Sequence, residues 1–382
     1  MNRCVLHIGQ SKTGTSAIQG FLYLNKTKIQ NQGMLYPGVN FHGVNINLVN
    51  HNSLADSLTC LERYPEIKVE EYFRQFSEQL IKNNCHTLLI SGEHFFGGEP
   101  RAWDVQSKKE YITLYKKKLK TLHLYLKKYE LTIIIYLRSQ AEWLESAISQ
   151  VIRYEGLIGK KIYQDDYQFF ELMKPVLDYD SLLSQWVNIL NPKELICIPY
   201  HRDCLFGGNS VSDFIKRLGL VDEELNKNAM DYSEHDSLAR EYIELKKILN
   251  KDVCSKSEEW VRIHCLNRAN DKNNSGKKYH VSEDLYRKIQ EFYSTINVNI
   301  TNKYIKKGKF GISIMEDRLN TVSDSEIAKA TEVYNKEYSS LSAKLKRIEV
   351  DVKIYMRTNF KILHAYLYKL KTIIKVILYK LS

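Results

Sequence analysis

The chain has 382 residues, of which 43% are hydrophobic, and a formal net charge of +11. A chain of this length and composition can bury one large core or two ordinary ones, which excludes global disorder. The excess of positive charge indicates an anionic partner, such as a nucleotide, a polyanionic glycan, a nucleic acid or a membrane surface.

The seven cysteines are odd in number and form no C-x-x-C pair. This pattern favours a reduced protein over a disulfide scaffold or a zinc module. The chain shows no signal-peptide pattern, and no apolar run approaches the roughly 18 residues of a membrane-spanning helix. We therefore expect a cytoplasmic protein that binds no metal and that could lie peripherally at the inner face of the cell membrane.

Four apolar runs predict the strands of a buried sheet. They are residues 3–8, HTLLISGEHFF at 86–96, LTIIIYLRS at 131–139 and ELICIPY at 194–200. Helical patterns alternate with them at 14–25, 66–83, 108–129, 141–153 and 209–218, whereas residues 31–60 are rich in loop signals before a helix start in NHNSLADSL. This alternation predicts an α/β, three-layer fold with a central, mostly parallel sheet flanked by helices.

The last third of the chain reads as helical. Residues 221–320 are mainly helical and charged, and the helical pattern continues from about 323, where residues 325–350 could form a coiled-coil-like arm. No acidic residue follows Asp351, and an apolar stripe opposes the lysines of residues 352–382. Such a basic amphipathic tail suits an anionic membrane surface, and the alternative is a helix packed on the domain or on a dimer partner.

The first strand leads into a loop of phosphate-binding type. In RCVLHIGQSKTGTSAIQGFL, residues 3–22, a glycine and hydroxyl residues connect a strand to a helix start, where backbone N–H groups can converge on an anion. Gly9 and Gly14 fit the spacing of the Walker A motif G-x-x-x-x-G-K-S/T. Thr15 stands at the lysine position and Lys12 lies inside the loop, so the pattern predicts a P-loop-like anion site but disfavours triphosphate chemistry.

The sequence Lys-Thr-Gly-Thr-Ser after a strand resembles the 5′-phosphosulfate loop of sulfotransferases, which use 3′-phosphoadenosine 5′-phosphosulfate (PAPS). In that family an arginine at a later strand end and a serine eight residues on hold the 3′-phosphate; Arg138 and Ser146 in IIIYLRSQAEWLESAISQ have this spacing. YLRSQAEWLESAISQ and ICIPYHRDCLFGGNSVSDFIKRLGL are similar to bacterial carbohydrate sulfotransferases. The late R-K-G-x-x-G element of cytosolic members has only a loose counterpart in YIKKGKFG, 304–311, so no role is assigned to Lys307 or Lys309.

The resemblance implies a sulfotransferase domain over 1–320, with a PAPS-binding core in 1–220 and a mainly helical region in 221–320, followed by a helical extension over 321–382. It also implies the donor site, in which Lys12 stabilises the departing 5′-phosphate and no metal is needed. The residues expected to bind PAPS, and its product 3′-phosphoadenosine 5′-phosphate (PAP), are Lys12, Thr13, Gly14, Thr15, Ser16, Arg138 and Ser146.

A general base must take the proton of the acceptor hydroxyl, and in related enzymes it is a Glu or a His. His51, in VNHNSLADSL, is the preferred candidate because this region faces the donor in several sulfotransferases. Glu93, at the end of the second predicted strand, is the second candidate because open α/β sheets bind ligands there. His94 and His42 are weaker candidates.

Each of these residues also has a purely structural interpretation. Arg138 could form a salt bridge with Glu142, Ser146 could lie on a helix surface, and His51 or Glu93 could be a loop or capping residue. Trp143 is interpreted as a packing residue. Lysines 116–118, 120, 127 and 128 are interpreted as a solvated helix face.

The sequence thus favours a sulfotransferase that transfers the sulfuryl group of PAPS to a hydroxyl of a glycan or lipid-linked sugar, as in polysaccharide biosynthesis. A carbohydrate acceptor is the expected partner, with a possible anionic membrane contact, a possible homodimer and no nucleic acid. Two alternatives stay open: a P-loop kinase or nucleotide hydrolase, and a catalytically inactive membrane-associated binding protein.

Overall fold

The structure is a computed structural model, which describes residues 2–351 except 42–43, 47, 59–67, 98–106, 159–164, 233–237, 253, 274, 307–309, 311–321, 341–342 and 345. Five parallel strands form the central sheet: β1 (Arg3–His7), β2 (Met34–Leu35), β5 (Thr87–Ser91), β6 (Glu130–Leu137) and β7 (Glu194–Pro199). Across the sheet they lie in the order β2-β5-β1-β6-β7. The four strands predicted from apolar runs are confirmed, and the sheet is parallel throughout.

Helices follow and connect the strands. Their bounds up to the last strand are α1 (Thr15–Leu24), α2 (Lys26–Asn31), α3 (Asn52–Ser57), α4 (Val69–Lys82), α5 (His94–Gly97), α6 (Lys108–Leu126), α7 (Gln140–Ile158), α8 (Asp166–Leu177) and α9 (Tyr179–Leu190). Beyond it lie α10 (Ser210–Leu218), α11 (Glu223–Asp231), α12 (Arg240–Leu249), α13 (Lys256–Lys272), α14 (Glu283–Tyr304) and α15 (Asp324–Tyr338).

Both faces of the sheet are buried, which explains why its strands read as continuous apolar runs. Val5, Leu89 and Ile134 point into one core, shared with helices α1, α2, α10 and α11. Alternate positions such as Leu6 and Ile133 point into a second core with α3–α9 and α12–α15. The alternation follows from the two-residue period of a strand and gives the three layers predicted from the sequence.

The region 31–60 contains more strand than its loop signals predict. Met34 and Leu35 add the edge strand β2, and a separate antiparallel hairpin joins β3 (Val39–Phe41) to β4 (Val44–Ile46). The side-chain amide of Gln75 on α4 bonds to the backbone of Asn40 in the hairpin. Such short strands depend on these tertiary contacts, which local sequence patterns do not encode.

One lysine of the α6 surface departs from the prediction of a solvated face. Lys116, Lys117 and Lys120 are exposed, as predicted, but Lys118 is fully buried. Its ammonium group donates a hydrogen bond to the backbone carbonyl of His94. Lys118 falls on the buried side of α6 because it lies three and four residues from the core residues Tyr115 and Leu122.

The described part of the C-terminal extension packs on the rest of the chain. Helix α15 lies against α12 and α13, and Ala330 and Tyr334 enter the main core. The buried carboxylate of Glu337 bonds to Arg268, at 2.7 Å, and to Lys272, both on α13. Helix α15 (Asp324–Tyr338) is therefore docked on the rest of the chain rather than projecting as an arm.

No helix in the described part of the chain is both long and apolar enough to cross a membrane. The basic tail, residues 352–382, lies outside the described residues, as do His42, Lys307 and Lys309.

The ion pairs of the Glu337 carboxylate with α13 should contribute to the stability of the folded chain. The bonds to Lys272 and Arg268 lower the pKa of Glu337 below the ordinary 4.5. Glu337→Gln should lower the free energy of unfolding by about 1–3 kcal/mol at neutral pH, the scale of hydrogen bonds to charged groups. Because the folded pKa is the lower one, this contribution is present above pH 4.5 and is lost as the pH falls through the folded pKa.

Urea denaturation at several pH values measures this difference. The matched control is Glu332→Gln on the same helix, since Glu332 is exposed and paired only with Lys336 among the described residues. It should change stability by less than about 1 kcal/mol. Equal effects of the two substitutions at neutral pH would contradict the assigned role of Glu337.

Candidate functional site

The carboxyl ends of four neighbouring strands meet at one edge of the sheet. The loop 8–14 follows β1, Glu93 follows β5, Arg138 follows β6 and Tyr200 follows β7. Strand β1 lies between β5 and β6, so the chain builds the sheet outward from β1 in both directions. The strand order reverses at this point, and open α/β sheets bind ligands in the crevice that such a reversal opens. A cavity of about 540 Å³ occupies this position and is lined by all four of these elements.

The loop 8–14 is a tight turn that brings backbone close to the cavity. Gly14 has a φ of 72°, and a Cβ atom added to it would lie 2.3 Å from the Ser210 hydroxyl oxygen of α10. Only glycine fits this position. Lys12 has a φ of 70°, although it is not a glycine.

The first turn of α1 opens onto this cavity without a capping side chain from the described residues. Its free N–H groups and the positive end of the helix dipole favour an anion here. Thr15 and the exposed Ser16 line the cavity. Thr13 is fully buried, and its hydroxyl donates to the Gln10 carbonyl at 2.6 Å, as that of Thr15 does at 3.0 Å. The Thr13 side chain thus fixes the shape of the loop, which leaves its backbone as the group that could face a ligand.

Lys12 supplies a cation that titrates close to neutral pH. Its side chain lines the cavity and is half-buried. The pKa of Lys12 is lowered from 10.5 to about 8, chiefly by burial; the Glu93 carboxylate opposes this shift, and the guanidinium groups of Arg153 and Arg138 contribute to it. The amine is therefore mostly protonated at pH 7, in a place where its hydration is poor and an anion would be favoured.

Arg138 begins the segment between β6 and α7 and faces the same cavity. Its Nε lies 3.6 Å from Glu142 Oε2, so the structural salt bridge considered for it is present. That contact is long, and the guanidinium has five N–H donors, which leaves donors for a phosphate. Both interpretations of Arg138 are therefore compatible with the geometry.

Ser146 lies two helical turns after Arg138 on α7, and both residues line two cavities at once. The second cavity, of about 350 Å³, is also bordered by Lys277, Lys278 and Tyr279. A ligand that reaches Arg138 and Ser146 from the loop can therefore extend into this second space. The exposed Lys278 adds a cation that the sequence patterns did not indicate.

His51 lies outside the lining of both cavities. It is fully buried between the rings of Tyr36 and Phe76. Its Nδ1 accepts a hydrogen bond from the Ser91 amide at 3.1 Å, and its Nε2 lies 3.3 Å from the Pro37 carbonyl, to which this tautomer donates. Burial lowers the pKa of His51 to about 4. With both ring nitrogens bonded to backbone, His51 links the end of β5 to the chain before the hairpin.

Glu93 does line the main cavity, opposite the loop that carries Lys12. Its Cα would lie 3.4 Å from a Cβ added to Gly9, so this turn abuts the loop directly. The next residue, His94, pairs instead with the buried Asp56, at 2.8 Å, and does not line either cavity. Of the three described base candidates, the structure brings only Glu93 to the loop.

Several lining residues were not singled out from the sequence. Tyr200 follows β7, and Asn209 and Ser210 start α10, where the Asn209 side chain caps the helix by accepting from Val211 and Ser212 N–H groups. The signal existed in YHRDCLFGGNS, because Asn before a helical pattern is a typical N-cap. What the sequence could not indicate is that this helix start lies against Gly14.

Comparisons of the chain with protein-family models, with curated proteins and with solved structures returned no match. The described residues include no group of three or more His, Cys, Asp or Glu side chains placed to hold a metal ion.

The environment of Lys12 predicts its titration. The pH dependence of Lys12 acylation, followed by mass spectrometry, should report a pKa of about 8. Glu93→Gln should lower it further, since the substitution removes the carboxylate that raises it. The affinity for inorganic pyrophosphate should fall as the pH rises through this pKa, because the cation is lost.

Lys303 is the internal reference for this measurement. It is exposed, and its bond to Asp180 raises its pKa above 10.5. Glu93→Gln should leave its acylation profile unchanged. If Lys12 titrates together with Lys303, or if Glu93→Gln raises the pKa of Lys12, the electrostatic description of the site is wrong.

Proposed function

We propose that the protein is a sulfotransferase that moves the sulfuryl group of PAPS to a hydroxyl of a carbohydrate acceptor. One observation carries this proposal: the loop with Lys12 and the pair Arg138 and Ser146 line one cavity at the carboxyl edge of a parallel sheet. Two cationic elements within one cleft suit a nucleotide that carries phosphate at both its 5′ and its 3′ position.

In the proposed complex, the N–H groups of the loop and of the first turn of α1 hold the 5′-phosphosulfate. Arg138 and Ser146 bind the 3′-phosphate, which distinguishes PAPS from ordinary adenosine nucleotides. The nucleoside extends toward the second cavity, where the Tyr279 ring borders the space and Lys278 adds positive charge.

The chemistry requires a base and a cation on the same cavity. Glu93 takes the proton of the acceptor hydroxyl. The oxygen of that hydroxyl attacks sulfur, and the bond from sulfur to the 5′-phosphate oxygen breaks. Negative charge develops on that departing oxygen, and the Lys12 ammonium stabilises it. We assign Glu93 rather than His51 to the base because Glu93 lines the cavity and its carboxylate has no hydrogen-bond partner among the described residues, whereas both ring nitrogens of His51 are engaged.

The first consequence of this proposal concerns the 3′-phosphate. PAP should bind more tightly than adenosine 5′-monophosphate, and Arg138→Ala should weaken PAP binding by about 1.5–3 kcal/mol, the scale of a charge-assisted hydrogen bond. Isothermal titration calorimetry without magnesium measures both. Arg74→Ala is the matched control, since Arg74 also pairs with a glutamate four residues on but lies exposed on α4.

Arg74→Ala should leave PAP affinity unchanged. Equal affinity of the wild type for the two nucleotides, or a need for magnesium in binding, would overturn the assignment of the 3′-phosphate site and favour a kinase or nucleotide hydrolase.

The second consequence concerns the general base. Glu93→Gln should lower turnover about 10²–10⁴-fold, the usual contribution of general base catalysis, with PAP affinity nearly unchanged. Transfer of labelled sulfate from PAPS to a panel of glycans measures turnover. His51→Gln should lower stability, because it removes a buried link, while each folded molecule keeps its turnover. Loss of turnover in folded His51→Gln with full activity in Glu93→Gln would reverse the assignment.

A further inference from the structure

The loop that carries Lys12 is held by side-chain and backbone donors of residues 138–143, the segment that follows β6 and includes the first turn of α7. The indole N–H of Trp143 donates to the Ser11 carbonyl at 3.1 Å, and Arg138 Nη1 lies 3.5 Å from the Lys12 carbonyl. The Arg138 backbone N–H also donates to the Gln10 side-chain carbonyl, at 2.9 Å. Three successive loop residues are therefore bound to the segment that also presents Arg138.

Gln10 is the centre of this arrangement. It is buried; its backbone carbonyl accepts from the Thr13 and Thr15 hydroxyls, and its side-chain amide donates to the Tyr179 hydroxyl on α9. The loop is thus fixed from inside by the threonines and from outside by α9 and by the segment after β6.

These bonds surround a residue in an unfavourable backbone conformation. Lys12 has a φ of 70°, in the left-handed region that a residue with a Cβ atom rarely adopts. Such conformations persist where surrounding contacts determine them, and they concentrate at functional sites. The carbonyls of Ser11 and Lys12, on either side of the strained Lys12 backbone, are the ones that Trp143 and Arg138 contact.

We propose that Trp143 and Gln10 are positioning residues that hold the loop in its ligand-binding conformation before any ligand arrives. Trp143 does so from the segment that carries Arg138, and Gln10 does so from within the loop by accepting from the Arg138 N–H, so the loop and the second anion-binding element form one preassembled unit. The ordering of the loop follows from these contacts alone. The expected effects on PAP affinity and on turnover rest on the proposed function.

Loss of these contacts should weaken ligand binding by a calculable factor. If only a fraction of molecules holds the competent loop, the apparent dissociation constant rises by the inverse of that fraction. Saturating donor restores the ordered loop, so turnover at saturation stays the same. A positioning role therefore predicts weaker binding with unchanged turnover, whereas simple misfolding lowers the active fraction and leaves the affinity of the remaining molecules intact.

Trp143→Phe tests the proposal because it removes the N–H donor and keeps an aromatic ring in place. Trp186→Phe is the matched control: Trp186 is also buried, and its N–H donates to the Tyr115 hydroxyl at 2.7 Å, away from the loop. We expect Trp143→Phe to weaken PAP binding about three- to tenfold, the effect of one lost hydrogen bond, with turnover within about twofold of the wild type. Trp186→Phe should leave PAP affinity unchanged.

A ligand-free measurement keeps this inference separate from the proposed function. In Trp143→Phe the acylation pKa of Lys12 should rise from about 8 toward the ordinary 10.5, because a relaxed loop exposes the amine, and Trp186→Phe should not change it. If the wild type fails to bind PAP but the pKa of Lys12 rises in Trp143→Phe and not in Trp186→Phe, the proposed function fails and the positioning role stands. If Trp143→Phe and Trp186→Phe behave alike in both measurements, the positioning role is wrong. Should Trp143→Phe fail to fold, Gln10→Met, which removes both side-chain amide bonds, is judged by the same criteria.

Discussion

The burial of β1 between two parallel neighbours is the constraint on which the candidate site depends. Every residue of β1 is in register with both β5 and β6, so the chain has little freedom where it leaves the sheet. The loop that follows must turn at once, and it does so between Glu93 on one side and Arg138 on the other. A parallel sheet places strand ends at one edge, which brings together residues far apart in sequence.

Much of this arrangement is predictable because it follows from local patterns. Long apolar runs specify strands buried on both faces, and the glycines and hydroxyl residues after β1 specify a tight turn into a helix. The spacing of Arg138 and Ser146 predicts one face of a strand-to-helix junction, and both do line one cavity. Tyr200, Lys278 and the start of α10 enter the site through long-range packing, which one sequence does not encode.

His51 and Glu93 illustrate where sequence reasoning reaches its limit. Both are polar residues near the end of an element, and their spacing along the chain does not separate them. The deciding difference is three-dimensional: the Ser91 amide and the Pro37 carbonyl meet the two nitrogens of His51, while the Glu93 turn abuts Gly9. A histidine in a loop can satisfy buried backbone groups as well as perform catalysis, and burial with both nitrogens engaged favours the first role.

The backbone of Lys12 gives independent support for a role of this residue in function. Three non-glycine residues in the described part of the chain have positive φ, and two of them, Asn84 and Asn191, are asparagines, which tolerate this conformation well. Lysine has no such preference, so glycine or asparagine at position 12 would relieve the backbone strain. Stability alone does not explain a lysine there. The proposed function does explain it, because that function needs an ammonium group at this position, where the Lys12 side chain lines the cavity.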